Sequence, residues 1–135
     1  PAVARLTPNG QFDGSFDGDG LFADAGACLS SLSIHDMLVQ SDDRIVLAGE
    51  WNNDFFATRI LPQGGFDPGF GIFNAVWLDF ADLYGIQSSN DGAYRVASHA
   101  GRILLAGSAD PTDAEGGDFA IARLDNDLIY ADDLE

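Results

Sequence analysis

Lysine is absent from this chain. Its six cationic side chains are all arginine and face 22 acidic ones, for a formal net charge of −16 over 135 residues. Without a basic stripe the chain has nothing with which to release the counterions of a nucleic acid or to approach an anionic membrane surface. Nucleic-acid binding is the first function class excluded. Cysteine is nearly absent too: Cys28 stands alone, so no intrachain disulfide and no cysteine zinc cluster can form, and a buried inert thiol is its expected role. No apolar run is long enough to cross a membrane. The longest aromatic-rich stretch, 72 to 86, is interrupted by Asn74, Asp79 and Asp82.

What remains is an acidic chain that is 46% hydrophobic and carries fifteen aromatic residues. That is too much apolar surface for a disordered acidic tail, and the length suits one core. The chain starts at Pro1 and shows no signal peptide or lipidation motif, and it reads as a processed or excised piece of a longer polypeptide.

The dominant pattern is internal repetition. VARLTPNGQFDGSF at 3 to 16 returns as ATRILPQGGFDPGF at 57 to 70. RIVLAG at 44 to 49 returns as RILLAG at 102 to 107, and DFFATRI at 54 to 60 returns as DFAIARL at 118 to 124. The offset grows along the chain, so the second copy contains insertions, the largest in the connection after Gly107. The units span about 3 to 56 and 57 to 120, and a partial third occupies 121 to 135, all within one repeat domain. Short apolar segments separated by Asn-Gly, Gly-Gly, Asp-Asp and Ala-Gly turns predict about four strands per unit: 2–7, 20–24, 33–40 and 43–50, then 55–61, 72–80, 93–98 and 102–108, with a ninth at 118–124. One turn of helix fits only near 76–86. The expected fold class is all-β, with tandem propeller-like blades of about four antiparallel strands and little or no helix.

Taken in order, ARL, NGQFDGSF, RIVLAG and DFFATR resemble the bacterial delta-60 repeat. The resemblance implies blade-like units of secreted or cell-surface bacterial proteins, mostly with no assigned activity. In the first copy Asp17 stands where that family usually has glycine; the second copy keeps it as Gly71.

Several residues are candidates for chemistry. Arg5, Arg59 and Arg123 recur in apolar strands and need carboxylate partners. Asp13 and Asp67 lie eight residues after an arginine, and Asp54 and Asp118 lie five before one. A tie that docks one unit on the next is the preferred reading over an anion grip. Asp13, Asp17 and Asp19 in FDGSFDGDG offer hard oxygen donors to calcium, but without EF-hand spacing, and an acidic turn is the plainer reading. The loop Asp110, Asp113, Glu115 and Asp118 invites the same idea. Trp51 with Asn52 and Asn53 is the candidate glycan-contacting loop. His35 and His99 stand at non-equivalent places, with Ala93 aligned to His35, and no histidine or cysteine lies near either at ligand spacing. No nucleophile elbow, phosphate loop or HExxH motif occurs. The expectation is a non-enzymatic extracellular scaffold for protein interaction or self-assembly, requiring no cofactor. A carbohydrate- or calcium-binding module is the alternative, followed by a carboxylate-based hydrolase. The expected partner is a second copy or the remainder of a longer chain.

Overall fold

The computed structural model describes residues 1–23, 32–85, 90–110 and 117–125. Cys28, Asp113 and Glu115 lie outside the described residues. Within them the chain forms nine strands and one short helix: β1 (Ala2–Ala4), β2 (Leu21–Ala23), β3 (Leu32–Val39), β4 (Ile45–Trp51), β5 (Asp54–Ile60), β6 (Ala75–Leu78), α1 (Phe80–Tyr84), β7 (Gly92–His99), β8 (Arg102–Ala109) and β9 (Asp118–Asp125). All pairings are antiparallel. They group as β1-β2, β3-β4-β5-β6 and β7-β8-β9.

The fold is all-β, and each strand forms where an apolar run is bounded by a turn. The turn residues explain where the strands stop. Asn52 and Asn53 both take positive φ, 52° and 70°, and close the β4-β5 hairpin in two residues. Ala100 and Gly101 do the same between β7 and β8. The strand expected over 72–80 is shorter. Phe73 and Asn74 also have positive φ, and Ile72 and Ala75 exchange backbone hydrogen bonds across them, so the strand begins only at Ala75. It ends at Leu78 because the carboxylate of Asp79 caps α1, accepting from the Ala81 amide at 2.7 Å. Similarly β1 ends at Ala4, leaving Leu6 in an isolated bridge with Phe12.

The four-stranded sheet straddles the boundary between the two sequence repeats: β3 and β4 come from the first copy, β5 and β6 from the second. Side chains alternate between its faces. Val46, Ala48, Phe55 and Ala57 pack with Ile103, Leu105 and Ala122 of the β7-β8-β9 sheet. Ile45, Leu47 and Ile60 pack on the opposite face, with Phe16, Val3, Phe22 and Phe66. RIVLAG is apolar throughout because β4 is covered on both sides.

Both hairpins carry a bulge at the same place. The register of β3 on β4 shifts between Ile34 and Asp36, and that of β7 on β8 shifts between Ala93 and Arg95. This makes Tyr94, not Ala93, the counterpart of His35. The sequence alignment is off by one because the two-residue turn at Ala100-Gly101 is one residue shorter than the three-residue turn, 41–43, that Gln40 and Arg44 enclose.

Candidate functional site

Two constellations stand out. The first is built twice by the repeat. Arg59 in β5 is buried and donates from Nε to Asp67 at 2.8 Å, while its guanidinium lies 4.8 Å above the ring of the buried Phe70. Arg44 approaches the same carboxylate at 3.5 Å. Arg5 repeats the arrangement half exposed, donating to Asp13 at 2.9 Å and resting 4.8 Å from the Phe16 ring. Arg5 also donates to Ser15 Oγ and to the carbonyl of Pro62. That last bond ties the first copy to the second.

The partner of each arginine is the aspartate eight residues on; Asp54, five residues before Arg59, lies elsewhere. The geometry is an Arg–Asp–Phe clasp that folds the loop after the strand back onto it. Arg123 is exposed on β9 and forms no ion pair with another described residue.

The three aspartates expected to offer a calcium site are engaged separately. Asp13 holds Arg5 through one oxygen and the Ser15 amide and hydroxyl through the other. These hydrogen bonds, with the arginine charge, hold its carboxyl below the usual range. Asp19 accepts from the Leu21 amide, and Asp17 is exposed at a positive φ of 51°. Among the described residues they do not converge on a common point.

Another acidic group does converge. Asp54 opens β5, Asp79 caps α1, and Asp91 precedes β7, and each can place one carboxylate oxygen within 4.8 Å of the others. Asp91 is buried, at 1% exposure. Its two oxygens accept from the Phe80 amide at 2.8 Å and the Asp110 amide at 3.3 Å, and its own amide donates to the Asn53 carbonyl at 2.7 Å. Backbone donors thus hold one carboxylate under the hairpin turn. Asp54 is the strained member: burial first, and then repulsion from Asp79, Asp91 and Asp82, push its carboxyl up to about 6.

Chemically, three converging oxygens suit a hard cation, and a carboxyl that titrates near 6 can take up a proton close to neutrality. Sequence reasoning missed this group because its members are 25 and 12 residues apart and share no motif. Only Asp79, as an N-cap ahead of a short apolar segment, carried a local signal.

Trp51 and Trp77 stand beside this end of the sheet, edge to face at 5.9 Å. Trp51 is half-buried, while Asn52 and Asn53 form the turn itself. His35 and Tyr94, the two bulge residues, stack at 5.1 Å, and His35 Nε2 lies 3.6 Å from Glu50. His99 ends β7, exposed.

The family model described as a domain of unknown function (DUF5122) β-propeller matches residues 1–16, 40–70 and 101–128, more than half of the chain. The chain belongs to this β-propeller family. Its sheets are therefore propeller blades, and the matched segments contain both clasps, Arg5–Asp13–Phe16 and Arg59–Asp67–Phe70. Asp54 lies within the matched segments, and Asp79 and Asp91 lie outside them. No curated protein and no solved structure matches the chain.

Proposed function

We propose that the chain is a non-enzymatic repeat module of the delta-60 kind, working outside the bacterial cytoplasm as a scaffold for self-assembly or protein interaction. The observation that carries this reading is the incompleteness of the blades at both ends. One sheet has four strands, while its neighbours have two and three among the described residues. Apolar side chains are exposed toward both ends: Ile34, Met37 and Val39 on β3 of the four-stranded sheet, beside β1, and Phe119 and Ile121 on β9. Uncovered strand edges and apolar faces are what folded proteins generally cover with a partner. Light scattering on a sizing column tests it: assemblies should appear as multiples of the 14.3 kDa chain. A concentration-independent monomer would overturn it.

A second reading, binding of a calcium-like cation, is favoured by the convergence of Asp54, Asp79 and Asp91. Binding to the native state must raise the melting temperature. Millimolar calcium should then raise it for the wild-type chain and not for Asp54→Asn; equal responses would remove this reading. A panel of glycans in the same assay addresses the Trp51, Asn52 and Asn53 loop.

A further inference from the structure

We infer that Asp36 is a latch between two blades and a guard on their free edges. Its one carboxylate closes the open edges of β3 and β7 together, and so keeps both strands from pairing with an incoming chain.

Among the described residues β3 pairs only with β4, and β7 only with β8, so each strand has one edge without a ladder. Backbone groups reach such an edge at every second residue. On β3 beyond the bulge they belong to Met37 and Val39, because Gln40 turns its amide to Arg44 on the β4 side. On β7 they belong to Val96 and Ser98. Met37 and Val96 are counterparts, since Met37 pairs with Leu47 and Val96 with Leu105, the same place in RIVLAG and RILLAG. Asp36 takes both amides. Its Oδ1 accepts from Met37 at 3.0 Å, and its Oδ2 accepts from Val96, sixty residues on, at 2.9 Å.

The bulge makes this reach possible. Asp36 pairs with Ala48, whose side chain packs toward the β7-β8-β9 sheet, whereas Ile34 pairs with Gly49 on the other face. Strict alternation would give Asp36 the face of Ile34. The extra residue, His35, turns it toward β7 instead. His35 reaches the same strand, its ring stacked on Tyr94 at 5.1 Å. Together the two residues form an arm from one blade to the next.

Little of either edge is left open. The bulges interrupt the ends away from the hairpin turns, Asp36 holds the amides in the middle, and Arg95 donates to the Tyr94 carbonyl at 2.6 Å. Only Val39 and Ser98, beside the turns, remain for an incoming strand. One position on each edge is too short a template for a strand of about five residues. The counterpart of Asp36 is Arg95, so the repeat did not copy the guard. A carboxylate serves the amides, and a guanidinium serves a carbonyl.

Hydrogen exchange followed residue by residue by NMR tests the inference. In the wild-type chain the protection factors of the Met37 and Val96 amides should exceed those of Val39 and Ser98 at least about tenfold, as a hydrogen bond to a charged acceptor provides. In Asp36→Ala both should fall to the level of their open neighbours. Asp36→Asn keeps the shape but only one acceptor oxygen, and should free one amide while the other stays protected. Asp36→Ala should also form thioflavin-binding aggregates faster than the wild type. Asp42→Ala, which removes the same charge from the β3-β4 turn, should not. Equal protection at the four positions in the wild-type chain overturns the latch, whether or not a variant folds. A folded Asp36→Ala that keeps Val96 protected overturns it as well. If both amides are freed and aggregation matches that of Asp42→Ala, the guard is overturned.

Discussion

Single carboxylates in this protein differ in what they do to stability, and the difference follows from their surroundings. Asp54 has a folded-state carboxyl raised to about 6 by burial and by its acidic neighbours, above an unfolded value of about 3.9. The fold therefore binds its proton more tightly than the unfolded chain does. The stabilisation that protonation brings is complete below about pH 4 and is lost as pH rises through about 6. Because Asp54 is partly solvated, screening limits the effect to about 1 kcal/mol. Asp54→Asn should raise the melting temperature at pH 7.5 and flatten its change between pH 7.5 and 5, as thermal melts across that range would reveal. The two clasps provide a second contrast. Asp67→Ala leaves the buried Arg59 without its carboxylate and should cost about 3 kcal/mol. Asp13→Ala, at the half-exposed copy, should cost clearly less, as urea titrations of the two variants would show.

At the scale of the element, the repeated RIVLAG and RILLAG strands end in glycine for a reason set by the bulge. A Cβ on Gly49 would lie 1.8 Å from the carbonyl oxygen of Ser33, and one on Gly107 would lie 1.8 Å from that of Gly92. The bulge in the paired strand presses its backbone onto β4 and β8 at these points. Gly49→Ala should therefore cost about 3 kcal/mol, while Gly10→Ala, in an open turn with no heavy atom within 4 Å, should cost less even though its φ is positive. Equal losses in melting temperature would show that the bulge yields. A glycine inside an apolar strand was visible in the sequence and is a known sign of close backbone approach. The bulge itself was not, because its extra residue can only be located by register. That is also why Ala93 rather than Tyr94 aligns with His35. All nine strands were legible as apolar runs, several of them closed by residues at positive φ such as Asn52-Asn53 and Ala100-Gly101. Their ends were less so where one such turn, Phe73-Asn74, carries an aromatic residue in a place where sequence reads as strand. The arginines of the clasp were legible as a recurring charge in an apolar strand. Asp54, Asp79 and Asp91 were not, because three loops bring them together and no spacing records it.

For the whole molecule, charge opposes contact between copies. Each carries a formal −16, and two such surfaces repel over distances that salt shortens, from about 30 Å at 0.01 M to about 8 Å at 0.15 M. Assembly should therefore strengthen with ionic strength, the average mass rising between 0.01 M and 0.5 M sodium chloride. A mass that falls with salt would point instead to ion pairs as the main attraction.

The offset between repeat and sheet reaches further than this molecule. A duplication that copies one sequence unit, such as residues 57 to 120, delivers the last two strands of one blade and the first two of the next. Every inserted copy is thereby laced into both neighbours, with its new blades completed in the interior, and the number of unfinished blades stays at two however many units are added. Growth by gene duplication would then lengthen the array without adding an unfinished blade.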